Sequence, residues 1–169
     1  MKALTICQPY PSIESLREDG FGHWLAGFAD GEGCFYLTRS TDGSHRCQFR
    51  LKLRIDDKAI LKEIVRRTEI GYVIDVKPPK GQIHAQCEWM VIRKADCIRI
   101  VEIFIAFPLR AKKARDFEVW SRAVSLLTDI RHVVDGRLLR RGQGSIRHEY
   151  QSRLAALKIE LADVRRMPR

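Results

Sequence analysis

Ten residues, Arg46 to Ile55, alternate polar and apolar without a break as RCQFRLKLRI. Successive side chains on a strand point to opposite faces. One face therefore carries Arg46, Gln48, Arg50, Lys52 and Arg54, and the other Cys47, Phe49, Leu51, Leu53 and Ile55. A helical period would scatter both sets, so the segment predicts a strand with its apolar face packed on helices. The opposite face holds four cations and a glutamine with no acid among them. A merely solvated face usually mixes both signs, because like charges on one face repel. Uniform positive charge points instead to a polyanion. Arg and Lys suit phosphates and guanine edges, Gln suits adenine, and a two-stranded ribbon fits the major groove of DNA.

The rest of the chain supplies what such a strand needs. A helix is predicted from His23 to about Asp30, stopped by the glycines of DGEG, then a strand over residues 34–39 ending at Arg39. STDGSH gives the turn into the alternating strand. Asp56 or Asp57 caps a helix through AILKEIVRR, with Ile60, Leu61, Ile64 and Val65 on one face. GYVIDVK and HAQCEWMVIR form a second strand pair around PPKGQ, with Lys77 closing the first. Ala85, Cys87, Trp89 and Val91 share one face of the latter, and His84, Gln86 and Glu88 the other. Asp96 is read as the cap of a helix over 97–107, ended by Pro108. A last core helix covers 111–127, with Phe117, Trp120, Val124 and Leu127 inward. Residues 1–19 read as an irregular lead-in, 20–127 as the core, and 128–169 as a basic helical extension broken at GQGS. Leu154, Leu157 and Leu161 stripe its second part. The class is α+β, one copy of a single unit.

Composition narrows the partners. Lys and Arg number 31 against 21 acids, a net charge of +10, the footprint expected of a nucleic-acid binder. Five scattered cysteines with no C-x-x-C pair argue for a reducing compartment, against a disulfide framework and a zinc site. No apolar run approaches the roughly 20 residues of a membrane span, and no secretory signal opens the chain. The expectation is a soluble intracellular protein with neither a membrane nor a small-molecule substrate as partner.

Residues 25–33 read LAGFADGEG. Asp30 and Glu32 place two carboxylates where a helix dipole is negative, which costs some tenths of a kcal/mol each. Ala26, Gly27 and Gly31 leave a bare surface that lets another helix come close. Both features ask for a compensating gain. A hard divalent cation supplies one, since Mg²⁺ takes carboxylate, carbonyl and phosphate oxygens. Glu32 with loop carbonyls after the helix is the candidate donor set.

This stretch resembles the signature of LAGLIDADG homing endonucleases, differing mainly at Ala29 and in Glu32 for the usual Asp. The resemblance extends over about residues 20–127, through the basic strand, GYV at 71–73 and FPLRAKKARDF at 107–117. It implies an αββαββα fold whose four strands form a saddle over double-stranded DNA. It implies a homodimer packed along Leu25, Ala26, Gly27 and Asp30, acting on a near-palindromic site in intron homing. Glu32, with the Gly31 carbonyl, would hold Mg²⁺, or Mn²⁺ in its place. Asp30 would be mainly capping, Asp57 (Asp56 its neighbour) would position water, and Lys113 or Lys112 would help with charge. Glu32 is one methylene longer than Asp, which shifts metal placement. The resemblance also places the gene product in a prokaryotic cytoplasm or an organelle.

Two rivals stand beside this reading. Asp75-Val76-Lys77 echoes the D/E-x-K half-site of restriction-type nucleases, a triplet common by chance, and His23, His45, His84, His132 and His148 show no zinc or H-N-H-like spacing. Members of the resembled family also act as non-cleaving DNA-binding regulators or intron RNA maturases. Glu32, still present, favours cleavage.

Overall fold

The computed structural model of the chain describes residues 10–41, 43–77, 84–129 and 144–166. Among these, the elements run α1 (Ile13–Glu18), α2 (Phe21–Glu32), β1 (Gly33–Arg39), β2 (His45–Arg54), α3 (Lys58–Thr68), β3 (Tyr72–Val76), β4 (Gln86–Val91), α4 (Lys94–Ala106), α5 (Lys113–Asp129) and α6 (Gly144–Arg166). The strands form one antiparallel sheet in the order β1-β2-β4-β3. From α2 to α4 this is the αββαββα arrangement. The turn expected at residues 78–82 lies outside the described residues, as does part of the break at GQGS. Among the described residues, no helix is long and apolar enough to cross a membrane.

Register decides which side chains share a face, because a slip of one residue would exchange the two faces. Phe35 pairs with Phe49, Phe49 with Val91, and Leu51 with Trp89 on the inner face. All five are fully buried. The ring centroids of Phe49 lie 4.9 Å from Phe35, 5.6 Å from Trp89 and 5.7 Å from Phe104 of α4. Each such ring is worth about 2–3 kcal/mol of burial, so this cluster locks α4 and the sheet together. Leu61 and Ile64 of α3, and Trp120 and Val124 of α5, are buried as their spacing predicts. The Trp120 indole donates to the Tyr36 carbonyl at 3.1 Å.

Three sequence expectations are corrected. The lead-in is not all irregular, for α1 begins at a Ser12 cap whose hydroxyl accepts from the Ser15 amide at 3.0 Å. Asp96 caps nothing, since α4 starts earlier, with Arg93 at its cap position. Asp96 is instead a buried hub that accepts from the Tyr10 hydroxyl at 2.5 Å, the Gly71 amide at 3.1 Å and the Arg93 guanidinium. Those donors lie up to 86 residues away in sequence, beyond the reach of a local capping rule. Third, α2 ends two residues later than expected: it continues through Glu32, takes Gly33, the last residue of DGEG, as its C-cap and passes directly into β1.

α6 lies against α5 and β1, with Leu154 and Leu161 buried and Leu157 half-buried. At one end, His45 Nδ1 and Gln151 Oε1 are 2.6 Å apart. Burial depresses the His45 pKa, against a weaker opposing pull from Gln151. At the other end, Arg165 donates to the Phe35 carbonyl. The helix thus braces β1, an edge strand of the sheet.

Candidate active site and nucleic-acid interface

The change from helix to strand at Gly33 sets the geometry of the site. A Cβ there would stand 2.5 Å from the Ala29 carbonyl oxygen and 3.0 Å from the Phe49 ring. Only glycine lets α2 run into β1 without a loop. The expected loop carbonyls are therefore carbonyls of the last helical turn, which have no acceptor-to-donor bond inside the helix. Glu32 and Gly31 are exposed at this negative end. One oxygen of Asp30 accepts from the amides of Arg110 at 2.7 Å and Ala111 at 3.1 Å. Its other oxygen is buried without a partner among the described residues. Asp30 therefore holds the chain entering α5 and draws that segment onto the end of α2.

That tie creates a cavity of about 800 Å³ lined by Asp30, Gly31 and residues 110–115, including Lys112 and Lys113. Lys112 Nζ donates to the Arg165 carbonyl at 2.8 Å, whereas Lys113 Nζ lies 3.8 Å from Asp116 Oδ2. Glu32 does not line this cavity, whose charged lining is Asp30 with Arg110, Lys112, Lys113 and Arg115. Glu32 and the Gly31 carbonyl offer oxygen donors only, and among the described residues no group of three His, Cys, Asp or Glu side chains converges. A hard cation that keeps most of its waters fits such a donor set better than zinc does.

Asp57 sits at the same end of the β1–β2 ladder, six residues past Leu51, the partner of Gly33. It is exposed. Asp56 is engaged by Arg54 at 2.8 Å. The surroundings of Asp57 include Cys87, whose thiol is pushed up first by burial and then by the carboxylates of Asp75 and Asp57. Asp57 does not line the cavity that Lys112 and Lys113 line.

On the outer face of the sheet the alternation is as read. Arg46, Lys52 and Arg54 are exposed, and Gln48 and Arg50 half-buried. Register adds Tyr36 opposite Gln48, Met90 opposite Arg50, Glu88 opposite Lys52 and Gln86 opposite Arg54. Arg50 is not a free cation. It donates to Gln48 Oε1 at 3.0 Å through Nε, lies 3.7 Å from Glu88 and stacks 5.2 Å over the Tyr36 ring. Glu88, expected on the exposed face, is instead buried and paired with Arg50. His84 lies exposed just before β4, and Lys77 just beyond β3 with the parity of Asp75 and Val73, residues of the inner set. Arg39 is exposed at the end of β1.

Among the described residues, Arg46 and Lys52 have no ion-pair partner, so they are the side chains most available to phosphates. Arg46→Ala and Lys52→Ala are each expected to shrink the slope of log affinity for duplex DNA against log salt by about 0.9. Arg54→Ala should shrink it less, since Asp56 already offsets that charge. Slopes unchanged in both of the first two variants would remove this face as the DNA surface.

The expected dimer residues are also redistributed. Leu25 and Ala26 are 0 % and 4 % exposed within one copy, so they belong to its own core. The open face of α2 consists of His23, Trp24, Gly27, Phe28 and Gly31. A Cβ at Gly27 or Gly31 would meet nothing within 4 Å. Trp24 is 44 % exposed and stacks on Phe28 with centroids 5.1 Å apart. Their four-residue spacing beside the glycines was a signal available in the sequence. No local signal pointed to Asp116 or Arg165.

The family model described as LAGLIDADG endonuclease matches residues 25–124. A probable intron-encoded endonuclease of Schizosaccharomyces pombe, Cox1-I1b, is 29 % identical over 122 residues, which cover 70 % of this chain and 30 % of that protein. The crystal structure of the LAGLIDADG meganuclease I-AabMI bound to uncleaved DNA matches with a TM-score of 0.66 at 24 % identity, over 83 % of this chain and 44 % of that one. The homing endonuclease I-TnaI matches with a TM-score of 0.58 at 23 % identity, over 85 % of this chain and 97 % of that one. The chain thus spans under a third of the curated relative and under half of the first of these structures.

Proposed function

The chain belongs to the LAGLIDADG endonuclease family, and from that premise we propose that it cleaves both strands of DNA at one long, near-palindromic site as a homodimer with Mg²⁺. Mn²⁺ should be able to take the place of Mg²⁺. The observation that carries this reading is the cavity at the end of α2, where Asp30 and Gly31 face Lys112 and Lys113. Next to it, β2 presents exposed cations of one sign.

In this reading the outer face of the sheet binds the phosphate backbone through Arg46, Lys52 and Arg54, which fixes the register of the duplex. Gln48, Arg50 and Gln86 reach base edges. Glu32 and the Gly31 carbonyl hold the cation. When bound, it lowers the pKa of a water and offsets charge on the scissile phosphate. Lys113 sits beside that phosphate and stabilises the charge that builds on it. Asp57, whose neighbour Asp56 is already paired with Arg54, orders water from the strand side. The open stripe of Gly27 and Gly31 admits the α2 backbone of a second copy closely, with Trp24 and Phe28 closing over it. Two copies bring two Glu32 carboxylates to one duplex, hence a near-palindrome. Relatives named as probable intron-encoded endonucleases support an intron as the setting, in an organelle or a prokaryotic cytoplasm on this reading.

The test is cleavage of a randomised long-duplex library with Mg²⁺ and with EDTA, followed by sequencing of the ends. Ends gathered at one near-palindromic, metal-dependent site are expected. Firm binding with no cleavage under any metal would replace this reading with a DNA-binding regulator or an RNA maturase.

A further inference from the structure

The cavity holds two neighbouring lysines, and the structure treats them differently. Lys112 is fixed by the carbonyl of Arg165, in the last turn of α6, where the helix dipole favours a cation. Among the described residues, Lys113 has only a loose carboxylate neighbour, Asp116 Oδ2 at 3.8 Å, beyond hydrogen-bond length. Asp116 is 2 % exposed, and its Oδ1 is buried with no partner among the described residues. A buried carboxylate this poorly satisfied will take the nearest available cation. What competes for it is Arg165, whose Nε lies 3.4 Å from the same Oδ2. Arg165 is itself held in place. Its guanidinium also donates to the Phe35 carbonyl and stands 5.7 Å from the Tyr36 ring centroid.

We propose that Arg165 and Asp116 are positioning residues for Lys113, so that the last turn of α6 is a working part of the site. Arg165 occupies the charge of Asp116 and leaves the Lys113 ammonium free to turn into the cavity beside Asp30 and Gly31. Without Arg165, Asp116 would capture Lys113 and withdraw it from the scissile phosphate. Arg165, a residue well outside the family-matched segment 25–124, would then set the rate of the reaction. The inference rests on the endonuclease reading above.

The experiment measures single-turnover cleavage rate and DNA dissociation constant separately for wild type, Arg165→Ala, Asp116→Asn and the double variant. Arg165→Ala is expected to slow cleavage about tenfold with affinity unchanged, as for loss of an interaction made at the reacting centre. Asp116→Asn in the same chain is expected to restore most of that loss, because the competing charge is gone. A double variant as slow as Arg165→Ala, or slower, overturns the proposal, as does a loss of affinity in step with rate. If Arg165→Ala does not fold, Arg165→Gln retains a donor for the Phe35 carbonyl and takes its place in the cycle. A wild-type chain that binds DNA and never cuts sinks the endonuclease reading and this inference together. A wild type that cuts while the double variant stays slow sinks this inference alone.

Discussion

Glu32→Gln should lose strand cleavage by at least about a thousandfold while binding duplex DNA within about threefold of wild type. The substitution keeps the length and polarity of the side chain and removes only its charge. Glu32 is exposed and, among the described residues, makes no ion pair, so no packing or salt bridge is lost with it. A carboxylate at the negative end of a helix costs roughly 0.3–1 kcal/mol. The variant should therefore melt no lower than wild type, and slightly higher at low salt. That combination is hard to obtain any other way. A catalytic loss with a lowered melting temperature would mean that Glu32 supports the fold. Equal losses of affinity and cleavage would mean that it binds DNA. Glu32→Asp adds a second reading, since it restores the charge one methylene back. Partial activity there would show how far the oxygen can move from its place beside the Gly31 carbonyl.

The largest expected effect on stability comes from Gly71→Ala, at about 3 kcal/mol or more. Gly71 has φ +65°, and a Cβ would stand 2.4 Å from the Met90 carbonyl oxygen and 2.8 Å from the Trp89 indole nitrogen. Neither neighbour can give way. The Met90 carbonyl belongs to a central strand, and the Trp89 indole donates to the Ile70 carbonyl at 2.8 Å while its ring is fully buried. The Gly71 amide also donates to Asp96 at 3.1 Å, so a shift of this backbone would loosen that hub as well. Urea unfolding followed by tryptophan fluorescence measures the change. Gly20→Ala is the control, because Gly20 has φ +73° but open space around it. It should lose only the left-handed penalty of about 1 kcal/mol. Equal losses at both positions would show that the close approach to Met90 and Trp89 contributes nothing.

Much of the fold was legible because it is written in short periods. Alternation over Arg46–Ile55 specified a strand, its buried face and its charged face. The strand runs His45–Arg54, its register agrees with both faces, and Ile55 already begins a short 3-10 turn. The helical stripes of Leu61 and Ile64, of Trp120 and Val124, and of Leu154 and Leu161 fell where their spacing put them. LAGFADGEG with the basic strand led to the family that the 25–124 match shows. Composition supplied the net charge of +10.

The spatial partners of the predicted site residues were not legible. Whether Lys112 or Lys113 is the freer lysine depends on Arg165, whose carbonyl comes from 53 residues away. Whether Arg50 is a free cation depends on Glu88, delivered across the sheet by the β2–β4 register. Asp96 looked like a cap because capping is the local use of an aspartate, whereas its partners are Tyr10 and Gly71. Leu25 and Ala26 looked like interface because the motif is a single string, yet packing within one copy had already buried them. Periodicity, composition and motif are properties of neighbours along the chain, so the sequence by itself determined the elements, their faces and the family. The partners of each charged group are neighbours only in space, and only the tertiary structure decided which lysine, which carboxylate and which face of α2 remain available.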